Sequence, residues 1–225
     1  MDFKTLFNLD ETIARTLIQN AQYPWECLPK IHDFIIELGN NLDKNLFTEV
    51  SENVWIAKTA KIALTACIEA PAIIDEEAEI RHCAYIRGNV IVGKNSVVGN
   101  STELKNCILF NGVQVPHFNY VGDSILGYKV HLGAGVILSN VRNDKREVFI
   151  KKYEKNKSDY SGESNYSSFE EIKTNLYKVG AFLGDGVEIG CNSVLNPGTV
   201  VGKNTIIYPL SCVKGIVEEN TIYKN

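Results

Sequence analysis

Aliphatic residues recur at every sixth position over a long stretch of the chain, and a second row of mostly small residues follows four places behind them. The first row is Ile56, Ile62, Ile68, Ile74, Ile80, Ile86, Val92, Val98 and Leu104, and the second is Ala60, Ala66, Ala72, Ala78, Ala84, Val90, Ser96, Thr102 and Ile108. A helix cannot keep such a period on one face, because its own repeat is about 3.6 residues. Short strands that meet at corners can bury it. The pattern therefore predicts an all-β fold, a parallel β-helix of hexapeptide repeats.

The period is interrupted twice. Its phase slips between Phe110 and Leu126, and it stops over residues 142–178 before it returns at Leu183, Ile189, Leu195, Val201, Ile207 and Val213. The slip favours an exposed pocket, although a simple bulge would also produce it. The polar segment 142–178 predicts one long projecting loop, in which a short helix is expected to start near Ser167.

The residues before the repeats have a helical pattern. Apolar positions at helical spacing predict short amphipathic helices over Asp10–Ile18 and Pro29–Leu38, the second stopped by Gly39. We expect residues 1–50 to form a small helical cap over the first coil of a β-helix domain at 51–225, because repeat stacks need covered ends.

The charge, the apolar runs and the cysteines of the chain argue against nucleic-acid, membrane and metal partners. The chain has 225 residues and a formal net charge of -4, without the clustered Lys and Arg that nucleic-acid binding requires. It lacks an apolar leader and any run long enough to span a bilayer, so we expect a cytoplasmic protein with no membrane partner. The six cysteines form no C-x-x-C pair, which favours small buried thiols over disulfides or zinc, and no metal is expected.

Candidate chemistry is concentrated where the phase slips. His117 and His131 can accept a proton near neutral pH, and Tyr120 and Asn140 are neutral groups that can orient a polar substrate. The segment Gly133-Ala-Gly135 would let a ligand approach the backbone closely. These residues indicate a site.

The motifs His117-x-x-Tyr-Val-Gly-Asp, Gly133-Ala-Gly135 and Asn140 resemble a known family. Together with the hexapeptide coils, they are similar to the acetyltransferase half of the bacterial bifunctional enzyme that makes UDP-N-acetylglucosamine, and to the matching half of archaeal sugar-1-phosphate nucleotidylyltransferases. The resemblance covers most of residues 55–217. It implies a left-handed β-helix with three hexapeptides per coil, and a homotrimer that binds acetyl-CoA between neighbouring subunits.

The resemblance also implies roles for individual residues. His117 matches the general base, which would take a proton from the amine of a glucosamine 1-phosphate-like sugar as that amine attacks the thioester. Tyr120 and Asn140 match residues that act on the amino sugar, and Arg87 and Lys105 match the phosphate-binding cations. The expected cofactor contacts are Ala134, Gly135 and Cys191, with a backbone amide near Ala134 stabilising the oxyanion.

Three positions depart from the family pattern and put the identity of the sugar in doubt. His131 stands where the family has an asparagine, and is expected either to change which sugar is held or to add a second titrating group. Arg146 replaces a lysine and keeps a substrate-binding charge in a different geometry. Cys191 stands where a serine is expected.

Other functions compete with acyl transfer. A catalytically inactive, sugar-phosphate-binding or regulatory subunit related to nucleotidyltransferases would explain the departures. A zinc carbonic anhydrase on this scaffold needs three converging histidines, and would give Arg87 and Tyr120 no role. Acyl-CoA transferases that act on other acceptors share the coils but not the motifs. The segment before Ile56 is too short for a nucleotide-binding domain, so we expect no uridylyl transfer.

Overall fold

Three columns of short parallel strands form the body of the molecule. The computed structural model describes residues 3–153 and 169–224. In chain order the strands are β1 (Phe47–Ser51), β2 (Val54–Ala57), β3 (Lys61–Ile62), β4 (Cys67–Glu69), β5 (Ala72–Ile74), β6 (Glu79–Ile80), β7 (Tyr85–Arg87), β8 (Val90–Val92), β9 (Val97–Asn100), β10 (Glu103–Leu109), β11 (Gln114–His117), β12 (Tyr120–Leu126), β13 (His131–Leu132), β14 (Ile137–Leu138), β15 (Phe149–Tyr153), β16 (Phe169–Lys173), β17 (Ala181–Leu183), β18 (Glu188–Ile189), β19 (Val194–Leu195), β20 (Thr199–Val201), β21 (Ile206–Ile207), β22 (Cys212–Val213), β23 (Ile216–Val217) and β24 (Ile222–Tyr223).

These strands stack into a left-handed parallel β-helix with three sides, as expected. Side one contains β2, β5, β8, β17, β20, β23 and the second halves of β10 and β12. Side two contains β3, β6, β9, β11, β13, β18, β21 and β24. Side three contains β4, β7, β14, β19, β22 and the first halves of β10 and β12. Strand β1 lies outside this order and pairs antiparallel with β2.

The two periodic rows point into the coils. From Ile74 to Leu104 every member of the first row is buried, and so is every member of the second row from Ala72 to Ile108. The first coil is the exception, because nothing among the described residues stacks on its outer end. There Ile62 is 36% exposed and Leu64 is fully exposed.

The phase slip has a simple cause: two coils are one residue short. Ile86 pairs with Leu104, an interval of 18 residues, whereas Leu104 pairs with Val121, 17 residues further on. The missing residue lies at the corner between sides three and one. In the coil before the slip, two residues form this corner. In each of the next two coils a single residue forms it, first Asn106 and then Asp123, and both have φ of 48°. The slip therefore starts at Asn106, before Phe110.

The inserted segment, which was predicted to be one long projecting loop, contains an antiparallel ribbon. Strands β15 and β16 form an antiparallel ribbon in which Ile150 pairs with Ile172. The expectation of a helix near Ser167 is wrong from Phe169 onward, where the chain is a strand, and residues 154–168 lie outside the described part. The ribbon forms because Val148 and Ile150 alternate with less buried neighbours and bury their side chains against the coils.

The N-terminal segment lies along side one and not over the first coil. It contains 3₁₀ turns at Phe3–Thr5, Leu9–Glu11 and Pro24–Lys30, and the helices α1 (Arg15–Gln19) and α2 (Ile31–Asn40). Aromatic contacts fix it to distant coils: Phe7 packs on Phe110 and Trp25 on Phe182, with ring centroids 5.2 and 5.9 Å apart. The expected end cap is therefore a side cover, and the domain boundary near residue 50 stays a prediction.

The structure also bears on the expectations for the cysteines and for membrane-spanning segments. Cys27 and Cys107 are buried, and burial raises the pKa of both thiols, whereas Cys67, Cys83, Cys191 and Cys212 are exposed. The expectation of buried thiols is thus wrong for these four, whose side chains point away from the coil interior. Within the described residues, no helix has the length and apolar character that crossing a membrane requires.

Asp75 has a buried carboxyl group with one hydrogen-bond donor among the described residues. Its side chain is 1% exposed; Oδ1 accepts a hydrogen bond from the Glu76 N–H at 2.7 Å, and Oδ2 finds no partner among the described residues. Burial raises the pKa of this carboxyl above its usual value, more than the Glu76 hydrogen bond lowers it. The folded state therefore favours the protonated acid, and stability falls as pH rises from about 3.9 through the raised pKa.

We expect Asp75→Asn to stabilise the protein above that pH range, because the amide is neutral and keeps the acceptor for Glu76. The gain should be about 1 kcal/mol at pH 8 and should shrink towards pH 4, as measured by urea unfolding at both pH values. Asp33→Asn, at an exposed position of helix α2, is the control and should change stability by less than about 0.5 kcal/mol. A loss of stability at pH 8 for Asp75→Asn would contradict this account.

Candidate active site

Side three carries the two predicted phosphate-binding cations on neighbouring strands. Arg87 follows Ile86, whose partner is Leu104, so Arg87 lies beside Lys105. Lys105 in turn pairs with Gly122 on β12. Since adjacent strands are about 4.8 Å apart, Arg87, Lys105 and the start of β12 form one continuous strip.

Asp123 joins the predicted acceptor residues into one cluster. Its carboxylate is 4% exposed; Oδ1 accepts a hydrogen bond from Asn106 Nδ2 at 2.8 Å, and Oδ2 accepts from Asn140 Nδ2 and lies 3.4 Å from Lys105 Nζ. Asn140 Nδ2 also donates to Tyr120 Oη at 3.2 Å. We call these five residues the Asp123 cluster. Sequence reasoning selected Lys105, Tyr120 and Asn140 but missed Asp123 and Asn106.

The shortened corners explain why the cluster forms. Leu138 pairs with Val121, so Asn140 stands level with Asp123, just as Asp123 stands level with Asn106. Three successive corner residues are therefore stacked and can hydrogen-bond to each other. A carboxylate in a one-residue corner within an otherwise apolar strand was the signal available in the sequence.

Gly122 leaves the room that the cluster needs. A Cβ atom on this residue would lie 2.6 Å from Tyr120 Oη and 2.7 Å from Asn140 Nδ2. Any larger side chain at position 122 would displace one of these two groups, since both distances are far below van der Waals contact.

Neighbouring charges and burial determine the protonation states of Arg87 and Tyr120. Glu103 pairs with Arg87 at 2.6 Å, and this hydrogen bond raises the pKa of the guanidinium, which stays charged. Burial raises the pKa of Tyr120, although the hydrogen bond from Asn140 acts in the opposite direction. Tyr120 therefore keeps its proton at neutral pH and can donate it in a hydrogen bond to a ligand.

His117 lies at the other edge of side three, where β11 ends. The imidazole is exposed, and none of the hydrogen bonds among the described residues uses its ring nitrogens. Its backbone is fixed by buried Asn119, which accepts from the His117 N–H at 3.0 Å and donates to the Gly133 carbonyl at 2.8 Å. Phe118, with φ of 52°, turns this corner and is 61% exposed.

The predicted cofactor residues stack directly beside His117. Gly135 donates its backbone N–H to the His117 carbonyl at 3.0 Å. The pairing of Gln114 with His131 places Ala134 next to His117, and the pairing of His131 with Glu188 places Cys191 next to Ala134. His117, Ala134, Gly135 and Cys191 therefore share the corner between sides two and three.

Two of the predicted substrate-binding residues lie apart from the Asp123 cluster. His131 is on side two, where Nδ1 lies 2.8 Å from Glu188 Oε2. Arg146 is at the base of the insertion, is 76% exposed and contacts Asp144. Within one chain, neither residue reaches the strip that holds Tyr120, and their roles stay predictions.

A zinc site requires at least three protein ligands to converge. Among the residues described, there is no group of three His, Cys, Asp or Glu side chains placed to hold a metal ion. The three converging histidines that a carbonic anhydrase needs are therefore not formed by the described part of one chain.

Comparison with known proteins gives partial matches to the β-helix. Residues 68–153 match a family described as the GMPPB C-terminal domain. A bifunctional sugar-1-phosphate nucleotidylyltransferase/acetyltransferase from Sulfurisphaera tokodaii is 32% identical over 124 residues, which are 55% of this chain and 27% of that protein. The bifunctional protein GlmU of Methanococcus vannielii is 34% identical over 125 residues, 55% of this chain and 26% of that protein.

The chain thus spans about a quarter of the length of these curated relatives. Among solved structures, the acetyltransferase domain of PglB from Neisseria gonorrhoeae has a TM-score of 0.36 and 13% identity, over 83% of this chain and 59% of that one. The sequence matches confirm the resemblance that the motifs indicated.

Asp123→Asn tests whether the cluster depends on its carboxylate. An amide at this corner tolerates the positive φ, but it must direct an NH₂ group at Asn106, Asn140 or Lys105, which are all donors. We expect a loss of roughly 1–3 kcal/mol in the free energy of unfolding, measured by urea titration.

The matched control is Asp144→Asn, which removes a carboxylate that two arginines contact at an exposed position. That variant should lose much less stability than Asp123→Asn, because solvent screens exposed ion pairs. Equal losses in the two variants would contradict a special role for the buried Asp123 carboxylate.

Proposed function

We propose that this chain is an acetyl-CoA-dependent N-acetyltransferase that acts on an amino-sugar 1-phosphate. One observation carries the proposal: one coil has an unpaired, exposed imidazole, that of His117, at one edge of side three, and Asp123, the centre of the Asp123 cluster, at the other. The relatives named above include a protein whose name contains both sugar-1-phosphate nucleotidylyltransferase and acetyltransferase.

The strip on side three suits the acceptor. Arg87 and Lys105 are adjacent cations, and a phosphate can compete for them with Glu103 and Asp123, since phosphate forms strong charge-assisted hydrogen bonds. Tyr120 and the carbonyl oxygen of the Asn140 amide then remain to contact the hydroxyl and amino groups of a sugar. Glucosamine 1-phosphate has this combination of groups and is the substrate that we propose.

His117 is the general base in this mechanism. Its free imidazole takes a proton from the sugar amine as the nitrogen forms a bond to the thioester carbonyl carbon; the carbon–sulfur bond then breaks, and CoA leaves as its thiol after gaining a proton. The Gly135 N–H already donates to the His117 carbonyl, so the Ala134 N–H is the remaining candidate for stabilising the oxyanion. Gly135 and Cys191 lie where the pantetheine arm would pass.

We further propose that the active unit is a homotrimer. The corner that holds His117 and Cys191 continues into exposed apolar side chains on the later coils, including Leu210, which is 73% exposed, and Val194, which is 39% exposed. A neighbouring subunit would cover these residues and close the open side of the site. The groove between two subunits would also suit an extended thioester.

A sugar-phosphate-binding subunit without catalysis is the second candidate. The departures from the family pattern at His131 and Arg146 favour it. This function requires binding of the sugar phosphate but no release of CoA.

The test is the rate of CoA-thiol release from acetyl-CoA with glucosamine 1-phosphate or galactosamine 1-phosphate. His117→Ala should lower this rate by about two to four powers of ten, because it removes the base. The matched control is His32→Ala, which removes an exposed imidazole from helix α2 and should retain most of the activity.

The outcomes separate the two candidates. Turnover by the native protein that His117→Ala abolishes supports the transferase, and the preferred sugar identifies the acceptor. If neither sugar supports release while either one raises the melting temperature, the chain is a binding subunit and the transferase is excluded.

A further inference from the structure

A second cation-lined cleft lies beyond the Asp123 cluster, between the base of the inserted ribbon and side three of the last coils. Its volume is about 410 Å³. It is lined by Ser139, Val141, Arg142, Asn143, Asp144, Phe149, Lys151, Asn196, Pro197, Lys214 and Gly215. None of these residues has a role in the acyl transfer proposed above.

The ribbon wall of the cleft is held firmly against the coils. Val148 and Ile150 are buried, and a Cβ atom on Gly198 would lie 2.9 Å from Val148 Cγ1 and 3.0 Å from Ile150 Cδ1. Gly198 has φ of 79°, which glycine adopts without strain. Thr174 Oγ1 also donates to the Val148 carbonyl at 2.6 Å. The cleft is therefore a preformed part of the fold.

Positive charge dominates the lining, in a chain whose net charge is -4. Arg142, Lys151 and Lys214 face one acidic lining residue, Asp144. Asp144 binds Arg142 through both carboxylate oxygens, at 2.9 and 2.6 Å, and so fixes the guanidinium. Lys214 is exposed and has no ion-pair partner among residues 3–153 and 169–224.

The remaining lining suits a ligand larger than a single anion. Ser139, Asn143 and Asn196 supply hydrogen-bonding groups, and the Arg142 guanidinium lies 5.9 Å from the centre of the Phe149 ring. The volume lies within the range of small-molecule sites, about 300–1,000 Å³, and exceeds what a phosphate alone would fill. Aromatic and guanidinium planes are surfaces on which a nucleobase can stack.

We propose that this cleft binds the phosphate-bearing part of a nucleotide. Ser139 and Val141 line it and flank Asn140, so a ligand held there is continuous with the Asp123 cluster. Two sources share this chemistry: the 3′-phosphorylated adenine nucleotide of CoA, and a nucleoside diphosphate attached to the sugar. The proposal depends only on the residues that line the cleft, and binding there does not require that the chain transfers an acyl group.

Isothermal titration of the full chain with adenosine 3′,5′-bisphosphate and, separately, with UDP tests the proposal. At least one nucleotide should bind, and Lys214→Glu should weaken its binding by roughly tenfold or more, since the reversed charge repels phosphate. Lys61→Glu, on exposed strand β3 of side two, makes the same charge change away from the cleft and should leave binding unchanged. The nucleotide affected identifies the source.

Binding of neither nucleotide to the native chain would overturn the proposal, and so would equal affinity of the bound nucleotide for Lys214→Glu and native protein. A similar loss in Lys61→Glu would overturn it too, because the effect would then come from net charge and not from the cleft. Because no turnover is measured, these results differ from those that would exclude the acetyltransferase. Loss of CoA release with intact nucleotide binding would leave the cleft established.

Discussion

The buried hydrogen bonds of Asp123 are the interaction on which the organisation of this molecule depends. A charged carboxylate is stable inside a β-helix only when donors surround it, and Asn106, Asn140 and Lys105 supply them. They come within reach because two successive corners use one residue where the preceding corner uses two. The same shortening makes β10 and β12 continuous around the corner. A local change in coil length thus creates both the register slip and the polar cluster.

This constraint separates two kinds of chemistry on one coil. The corner between sides three and one is buried, polar and fixed, which suits recognition of an acceptor. The opposite corner, at His117, is exposed and leaves the imidazole free, which suits proton transfer next to a cofactor that approaches from outside. A buried side chain connects the residues of each corner: Asp123 binds the side chains of Asn106 and Asn140, and Asn119 binds backbone groups of His117 and Gly133. The side-three strand between the two corners is only three residues long in this coil, and its length sets the distance between the corners.

The inward-facing rows were predictable because a six-residue period has one simple solution, and the placement of His117, Tyr120 and Asn140 on neighbouring edges followed from motifs. The position of the N-terminal segment along side one was not predicted, although the sequence contained a signal for it. Outward-facing residues at the centres of side-one strands, such as Ile73, Ile91 and Phe182, are apolar, whereas a solvent-exposed side would have polar residues there. Those outward residues require the N-terminal helices along side one. Asp123 was missed because a stack of corner residues is a relation between coils, and spacing along one coil does not reveal it.

The insertion begins at the functional corner for a physical reason. Asn140 is the third residue in the corner stack, and the chain leaves the coil immediately after it and returns at Gly180, which donates its N–H to the Asp123 carbonyl at 2.8 Å. A long excursion at this point does not disturb the inward rows, because corners contribute no strand pairing to neighbouring coils. It also places Arg142 and Lys151 beside the acceptor cluster and above the last coils. The corner that shapes the acceptor cluster therefore also determines where an added segment can extend the binding surface.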